Sequence, residues 1–342
     1  MRRTLIAIAA LAIALASCKR EAQKTGKLET FKLEKVADFT SREDIGVVLE
    51  ATISPPERIF FFEAGRGLIF GLSLSSPEKM VQIGKKGEGP GEYAGLSSIY
   101  AADGKIYALD SKSKILVYSY EGKLLQEQKF KTDIGWGKFV GKMGEAVFFH
   151  SIYFKDTVNP YLVLYEWKEG EEPEKIMELP VVAEIKKREA KGKVMFQIFF
   201  LSFPTYALVN GNLLYSASPS YSLHLRSLDG NTIWEVSLKA PPAEVPPFFR
   251  KVWKKSRKKF YPVITAFQCR KRICVLSNYY KDDKPRLDVF SMQGKFLRSY
   301  LFPIKIERPV TYPIRVQGEY LLYFPNGKEG TGFVLYRLPE DI

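Results

Sequence analysis

The chain has few of the side chains that catalysis and metal binding usually require. Its 342 residues contain two histidines and three cysteines. His224 lies inside a strand-like run and His150 closes an apolar run, which favours structural roles for both. A Ser-His-Asp triad needs a histidine held by an orienting carboxylate, and a zinc site needs further ligands near a cysteine pair. The sequence therefore gives little support to either chemistry.

Long apolar runs are also scarce. The one at the N-terminus, Thr4 to Ala16, follows Arg2 and Arg3 and is about 13 residues long. That length is too short for a stable transmembrane helix. A positive start, a short apolar run and small residues after it are typical of a signal peptide. We predict a signal peptide over residues 1–17.

The end of this run, Leu15-Ala16-Ser17-Cys18, resembles the bacterial lipobox. The resemblance implies that Cys18 becomes the lipidated first residue of the mature protein. It also implies that residues 18–27 form a tether, and Lys19 favours the outer membrane over retention in the inner one. We therefore expect a membrane-anchored protein of the bacterial cell envelope that faces the periplasm or the cell surface. The alternative is an ordinary signal peptide followed by an incidental cysteine.

The charge balance is basic, with 52 lysines and arginines against 38 acidic residues. A basic surface attracts anionic lipid, glycan or nucleic acid. Export makes nucleic acid the least favoured of these partners. A generally solvated basic surface explains the same composition.

The remaining cysteines, Cys269 and Cys274, lie in the segment FQCRKRICV with strand-like sequence on both sides. Outside the cytoplasm such a pair can oxidise. A tight hairpin would place the two residues opposite each other, within the range of a disulfide. The sequence predicts this disulfide.

One strand-like pattern recurs six times along the chain. Strand-like runs separated by Gly, Asn and Asp turns dominate the sequence, and 14% of residues are aromatic. The recurring run has spacings of 47, 46, 61, 64 and 47 residues, and its copies begin at Leu68, Ile115, Tyr161, Ser222, Arg286 and Phe333. Regular repeats of a four-stranded unit are typical of a β-propeller.

We therefore predict an all-β domain over residues 28–342, a six-bladed β-propeller of four-stranded blades. The chain ends soon after the sixth copy, so the last blade lacks its outer strand. The alternating segment Leu28 to Val36 is expected to supply that strand and close the ring. A pair of β-sandwiches is the alternative.

A glycine-rich stretch, QIGKKGEGPGEYAG from Gln82 to Gly95, has a loose G-x-G-x-x-A pattern. A dinucleotide-binding loop must open a helix, whereas a strand-like run follows here and two glutamates would repel an anion. We predict a crossing between two blades in which glycines permit positive φ. The motif residues are Gly84, Gly87, Gly89, Pro90, Gly91 and Glu92.

The segment Ile83 to Leu125 resembles the six-bladed propeller lipoproteins related to NHL-repeat and TolB-like propellers. The shared features are the G-x-G-P-G-E loop, the D-G-K-I-Y-x-x-D hairpin and the V-Y-x-x-x-G-K-L ending. About forty residues match well, and the other blades match in outline. The resemblance implies a fold and a location, and it implies no particular reaction.

Two long insertions, about Pro180 to Pro204 and Pro241 to Pro262, account for the wider spacings. Both lie between blades, so they should project from the same face as the glycine-rich loop. The second carries a basic, aromatic patch that suits an anionic glycan, a lipid headgroup or an acidic protein. A short helix packed on the propeller, with its lysines in solvent, is the simpler explanation of the same residues. The patch comprises Arg250, Lys251, Trp253, Lys254, Lys255, Arg257, Lys258 and Lys259.

These features favour a binding module for an envelope protein or a glycan, with no cofactor and no catalytic residue. The alternative is a calcium-dependent hydrolase, lactonase or lyase with oxygen ligands around the channel. Asp110, Asn159, Asn278 and Asp282 are the oxygen donors considered for that role. Turn chemistry explains these four residues as well.

Overall fold

The computed structural model describes residues 28–55, 57–155, 159–190, 193–240, 261–305, 314–325 and 331–342, and gives only the backbone for residues 182–190 and 193–202. Within these ranges the chain forms six four-stranded antiparallel sheets, each one blade of a propeller. The strands of blades 1 to 3 are Val48–Ser54, Arg58–Glu63, Leu68–Ser73 and Met80–Ile83; Leu96–Ala102, Lys105–Asp110, Lys114–Ser119 and Leu124–Lys129; and Gly137–Met143, Ala146–Phe154, Pro160–Trp167 and Glu174–Pro180. The strands of blades 4 to 6 are Thr205–Val209, Asn212–Ser216, Tyr221–Arg226 and Thr232–Leu238; Val263–Cys269, Arg272–Lys281, Lys284–Ser291 and Phe296–Leu301; and Ile314–Gln317, Tyr320–Tyr323, Val334–Arg337 and Glu34–Asp38.

The blades form a closed ring around a central axis. The first strand of every blade contacts the first strand of the next, and blade 6 returns to blade 1. Buried hydroxyl groups join these inner strands. Thr52 accepts the Ala101 amide (3.2 Å), and Ser98 accepts the Phe139 amide (3.1 Å). These bonds link blade 1 to blade 2 and blade 2 to blade 3.

The hydrophobic core lies between neighbouring blades. Along the third strand of blade 2, four successive residues from Ile115 to Tyr118 are buried, because both faces of the sheet are covered by adjacent blades. The outer strand Leu124–Lys129 alternates between exposed and partly buried residues at the rim of the ring. The six recurring runs of the sequence form the third strands of the six blades, which confirms the predicted propeller.

The N-terminal segment closes the ring, as predicted, but the strand that does so begins and ends later than expected. Glu34–Asp38 pairs with Val334–Arg337 as the outer strand of blade 6. Before it, the amide of Phe31 donates to the carbonyl of Leu301 in blade 5 (2.8 Å). The buried Phe31 ring packs against Tyr300 and Phe302, which holds the chain on blade 5 before it enters blade 6.

Interblade connections emerge on one face of the ring, which we call the crossing face. The first insertion extends there between blades 3 and 4 as a hairpin of Val182–Ala190 and Lys193–Ser202. The second insertion, residues 241–260, lies outside the described residues. None of the described residues belongs to a helix that is long and apolar enough to cross a membrane.

Candidate functional site

A cavity of about 1030 Å³ runs along the axis of the ring and is lined by the first strands of all six blades. Each first strand starts at the crossing face and ends at the opposite face. The walls are mostly apolar and include side chains from several blades, among them Ile99, Phe139, Ile152 and Phe267. This size and lining suit a small organic ligand.

Trp136 stands at the crossing-face end of the cavity with 75% of its surface exposed. The loop before it is anchored on blade 2, because Ser113 accepts the Ile134 amide (2.8 Å) and donates to Asp133 (3.1 Å). Gly135 adopts a φ of +53°, a conformation that glycine adopts without strain. A buried anchor and a glycine turn therefore hold a large aromatic ring in solvent at the channel entrance.

Glu50 lies just inside this entrance, and its side chain is only 4% exposed. It accepts a hydrogen bond from Lys138 Nζ on Oε2 (2.7 Å) and one from Arg315 on Oε1. Burial raises the pKa of Glu50, but the charges of Arg315 and Lys138 outweigh burial and hold the pKa below its usual value. We call these three residues, from blades 1, 3 and 6, the charge cluster.

His150 lies beside the charge cluster, opposite Lys138 in the paired strands of blade 3. Its ring meets the ring of Tyr206 edge-on at 5.0 Å. Burial, together with the charges of Lys138 and Arg315, lowers the pKa of His150 to about 3. The imidazole is therefore neutral at pH 7. Its Nδ1 is buried and has no hydrogen-bond partner among the described residues.

The opposite end of the cavity has a different charge arrangement. Lys142 pairs with Asp103 (2.7 Å), and Arg270 pairs with Glu319 (2.9 Å). Asp103 is 71% exposed and Glu319 38% exposed, so both carboxylates are in contact with solvent. Lys142 and Arg270 thus each have an acidic partner, although Glu319 also pairs with Arg337 (3.7 Å), and Lys271 is exposed.

Arg270 and Lys271 form the turn of a hairpin in blade 5 that also carries the two cysteines. Cys269 and Cys274 are joined by a disulfide with Cα atoms 5.8 Å apart. The two cysteines are not directly opposite, since Cys269 pairs with Arg272 and Cys274 pairs with Phe267. They are diagonal neighbours across the hairpin, which still brings their sulfurs together.

The glycine-rich loop crosses from blade 1 to blade 2 and is occupied by its own side chains. Glu92 accepts the Gly89 amide (2.9 Å) and pairs with Lys85 (2.8 Å). A Cβ on Gly87 would lie 1.9 Å from the Glu92 carboxylate. The Glu92 carboxylate thus occupies the interior of the loop and accepts a backbone amide there. Gly84 and Gly91 have positive φ.

Two predicted sites fall outside the described residues: the lipidation site Cys18, and the basic patch from Arg250 to Lys259. Two of the oxygen donors considered for calcium hold local structure. Asp110 accepts the amides of Ala94 (2.6 Å) and Lys112 (2.7 Å). Asn278 donates to the Tyr261 carbonyl (2.7 Å). Within the described ranges, no three His, Cys, Asp or Glu side chains group in a way that could hold a metal ion.

The charge cluster and Trp136 were not predicted from the sequence. Each had a weak local signal: Trp136 sits between two glycines, and Glu50, Lys138 and Arg315 are charges within inner strands. Such charges are common on strands. Their significance depends on blades that lie far apart in sequence.

Comparisons with known proteins agree with the architecture. Residues 76–201 match a family described as a 6-bladed beta-propeller. Among curated proteins, none matches the sequence.

Several solved structures are similar over most of their length. A putative exported protein from Bacteroides fragilis is 13% identical, with 94% of this chain and 98% of that chain covered and a TM-score of 0.43. BamB from Moraxella catarrhalis is 8% identical, with 90% and 98% covered and a TM-score of 0.39. A virginiamycin B lyase from Staphylococcus aureus is 12% identical, with 90% and 100% covered and a TM-score of 0.45.

At these identities and TM-scores, the similarities transfer no function to this chain. The closed ring of inner strands and the matched family segment identify the architecture, and the chain is a six-bladed β-propeller.

Proposed function

We propose that the protein is a lipid-anchored binding protein of the bacterial cell envelope that holds a small, largely apolar ligand in its central channel. The observation that carries this proposal is the cavity of about 1030 Å³, which has apolar walls and an exposed tryptophan at its entrance. Large apolar pockets with a few polar groups are the usual form of a ligand site. The lipobox-like sequence at Cys18 supports the anchor.

The channel suits a small ligand better than a flat partner surface. Its walls come from all six blades, so a ligand would be enclosed rather than laid across a face. An exposed aromatic ring at the rim can stack on a planar or apolar group as it enters. The hairpin insertion returns to blade 4 through Phe203 and Pro204, which line the same cavity.

The test uses 8-anilinonaphthalene-1-sulfonate, whose fluorescence rises in apolar surroundings. Titration of the native protein should give a saturable signal with one site per chain. The variant Val140→Trp, which places a large side chain in the channel lining, should abolish that signal. Leu125→Trp is the matched control, because Leu125 is exposed on the outer strand of blade 2. A signal that survives Val140→Trp would place the probe elsewhere and reject the channel as the site.

The anchor is tested separately by cell fractionation. The wild-type protein should incorporate labelled palmitate and sediment with membranes, whereas Cys18→Ala should lose both properties. Membrane association without labelling would point to another mode of attachment and reject the lipid anchor.

A further inference from the structure

The charge cluster gives the proposed ligand a more definite chemistry. The geometry points to a binding site for one singly charged oxyanion, a carboxylate or a sulfonate, held by Lys138 and Arg315 at the crossing-face end of the channel. This inference rests on the proposed function, because the oxyanion is taken to be one end of the apolar ligand in the cavity.

The charge cluster carries an excess of positive charge. Glu50 is one carboxylate between two cations, so the cluster has a net charge of one positive unit. Glu50 is buried behind the cations, whereas the side chains of Lys138 and Arg315 remain 39% and 29% exposed. Both cations line the cavity. The uncompensated charge is therefore accessible from the channel.

Lys138 and Arg315 have more hydrogen-bond donors than Glu50 uses. An ammonium group has three N–H donors and a guanidinium group has five. Lys138 and Arg315 each direct one donor to Glu50, and Arg315 directs another to the carbonyl of Ile314 (3.5 Å). Both groups keep donors for a second oxyanion. Charge-assisted hydrogen bonds of this kind are the strong ones.

His150 adds an unpaired polar group to the cavity lining. Its Nδ1 is buried and has no partner among the described residues. A neutral imidazole can present an N–H to an oxyanion and adds no charge of its own. A buried polar atom left without a partner costs free energy. His150 thus places a neutral polar group beside Lys138 in the cavity lining.

The apolar walls should strengthen the attraction between the two cations and an oxyanion in the channel. The attraction between charges rises as the surrounding dielectric constant falls, and the cavity is enclosed by side chains such as Ile152 and Leu162. At the opposite end, Lys142 and Arg270 pair with carboxylates that are in contact with solvent, and Lys271 is exposed, so solvent screens these charges. The proposal therefore concerns the crossing-face end alone.

The test compares two probes with the same aromatic body. 8-Anilinonaphthalene-1-sulfonate carries one negative charge, and N-phenyl-1-naphthylamine lacks the sulfonate. The wild-type protein should bind the sulfonate probe at least about tenfold more tightly than the neutral probe. Lys138→Gln should lower the affinity for the sulfonate probe by about tenfold and leave the affinity for the neutral probe unchanged.

Lys142→Gln is the matched control, because Lys142 lies on the same strand and also lines the channel. It should change the affinity for either probe by less than about threefold. Arg315→Gln should repeat the Lys138→Gln result, and it replaces that variant if Lys138→Gln fails to fold.

The outcomes separate this inference from the proposed function. If neither probe binds saturably in the channel, the proposed function fails and the oxyanion site fails with it. If both probes bind equally and the cluster variants change neither, the channel binds apolar ligands but the oxyanion site is rejected. If Lys142→Gln lowers the affinity for the sulfonate probe as much as Lys138→Gln does, the basic charge of the whole channel explains the preference for the sulfonate probe. The oxyanion site is then rejected.

Discussion

The two ends of the central channel are built from the same inner strands but differ in how deeply their ion pairs are buried. Lys138 and Lys142 lie four residues apart on one strand, roughly 13 Å along its axis, and each has an acidic partner. The partner of Lys138 is the buried Glu50, which also binds Arg315, whereas the partner of Lys142 is the exposed Asp103. Exposed ion pairs contribute little to stability, while breaking a buried pair is costly. The burial of the carboxylate, and not the number of charges, therefore determines at which end the ion pairs matter for stability.

The largest effect on stability should come from removing the cations around Glu50. The double variant Lys138→Met/Arg315→Met leaves a buried carboxylate without a counter-charge and should lower the free energy of unfolding by about 3 kcal/mol at pH 8. The matched double variant at the opposite end, Lys142→Met/Arg270→Met, should cost at most about 1 kcal/mol. Urea unfolding at pH 8 measures both.

A third variant makes this comparison sharper. Adding Glu50→Gln to Lys138→Met/Arg315→Met removes the buried charge and should recover part of the lost stability. Equal losses for the two double variants, or no recovery on adding Glu50→Gln, would contradict the assigned difference between the ends.

At the opposite end, the disulfide should contribute more to stability than the ion pairs do. The bond closes a short hairpin with a sequence separation of 5 residues, so reduction should lower the free energy of unfolding by about 2 kcal/mol. Melting curves with and without reductant measure this. The variant Cys269→Ala/Cys274→Ala is the control, because reductant should not change its melting temperature. An unchanged wild-type melting temperature despite titratable free thiols would show that the disulfide does not stabilise this end.

His150 should make the crossing-face end sensitive to acid. The charged groups that face it are Lys138, Arg315 and Glu50, and together with burial they lower its pKa to about 3. The unfolded chain binds a proton at this histidine near pH 6.5, but the folded chain does not. The stabilising contribution is therefore complete above about pH 6.5 and is lost as the pH falls towards the folded pKa.

Between pH 7 and pH 5, this loss should be about 2 kcal/mol. The variant His150→Gln should show a correspondingly weaker decline in melting temperature over that range. His224→Gln is the control, because His224 is the second histidine of the chain and lies on blade 4, away from the channel. An identical pH profile for the wild type and His150→Gln would contradict the assignment.

The smallest effect on stability should come from Trp136. Its exposed ring makes little contact with the fold, so Trp136→Ala should change the free energy of unfolding by less than about 0.5 kcal/mol. The same variant should weaken binding of 8-anilinonaphthalene-1-sulfonate by about fivefold through loss of an aromatic contact. Trp136→Phe should retain most of the affinity. An affinity unchanged in Trp136→Ala would remove the tryptophan from the site.

Much of the fold was predictable because strand patterns are local. Alternating residues and turn residues mark each strand within about ten positions, and six copies of one run implied six blades. The boundaries were less accurate. The closing strand was predicted within Leu28 to Val36 but spans Glu34–Asp38, and its pairing is irregular between Lys35 and Ala37. A bulge shifts the register and cannot be read from alternation alone.

The candidate site was largely hidden from sequence reasoning. Glu50 binds Lys138, which is 88 residues away, and Arg315, which is 265 residues away. In sequence, each is an isolated charge that could equally be exposed on a strand. The glycine-rich loop was better placed, because the stretch spans only fourteen residues and the strands that it joins adjoin it in sequence.

The order of the strands, their division into six repeats and the closure by an N-terminal segment follow from patterns that each lie within a short stretch of chain. The channel and its two unlike ends do not. They exist only when the ring closes, because closure brings side chains from blades 1, 3 and 6 around one axis and determines which carboxylate is buried. Burial is a property of the assembled ring, and burial is what distinguishes Glu50 from Asp103.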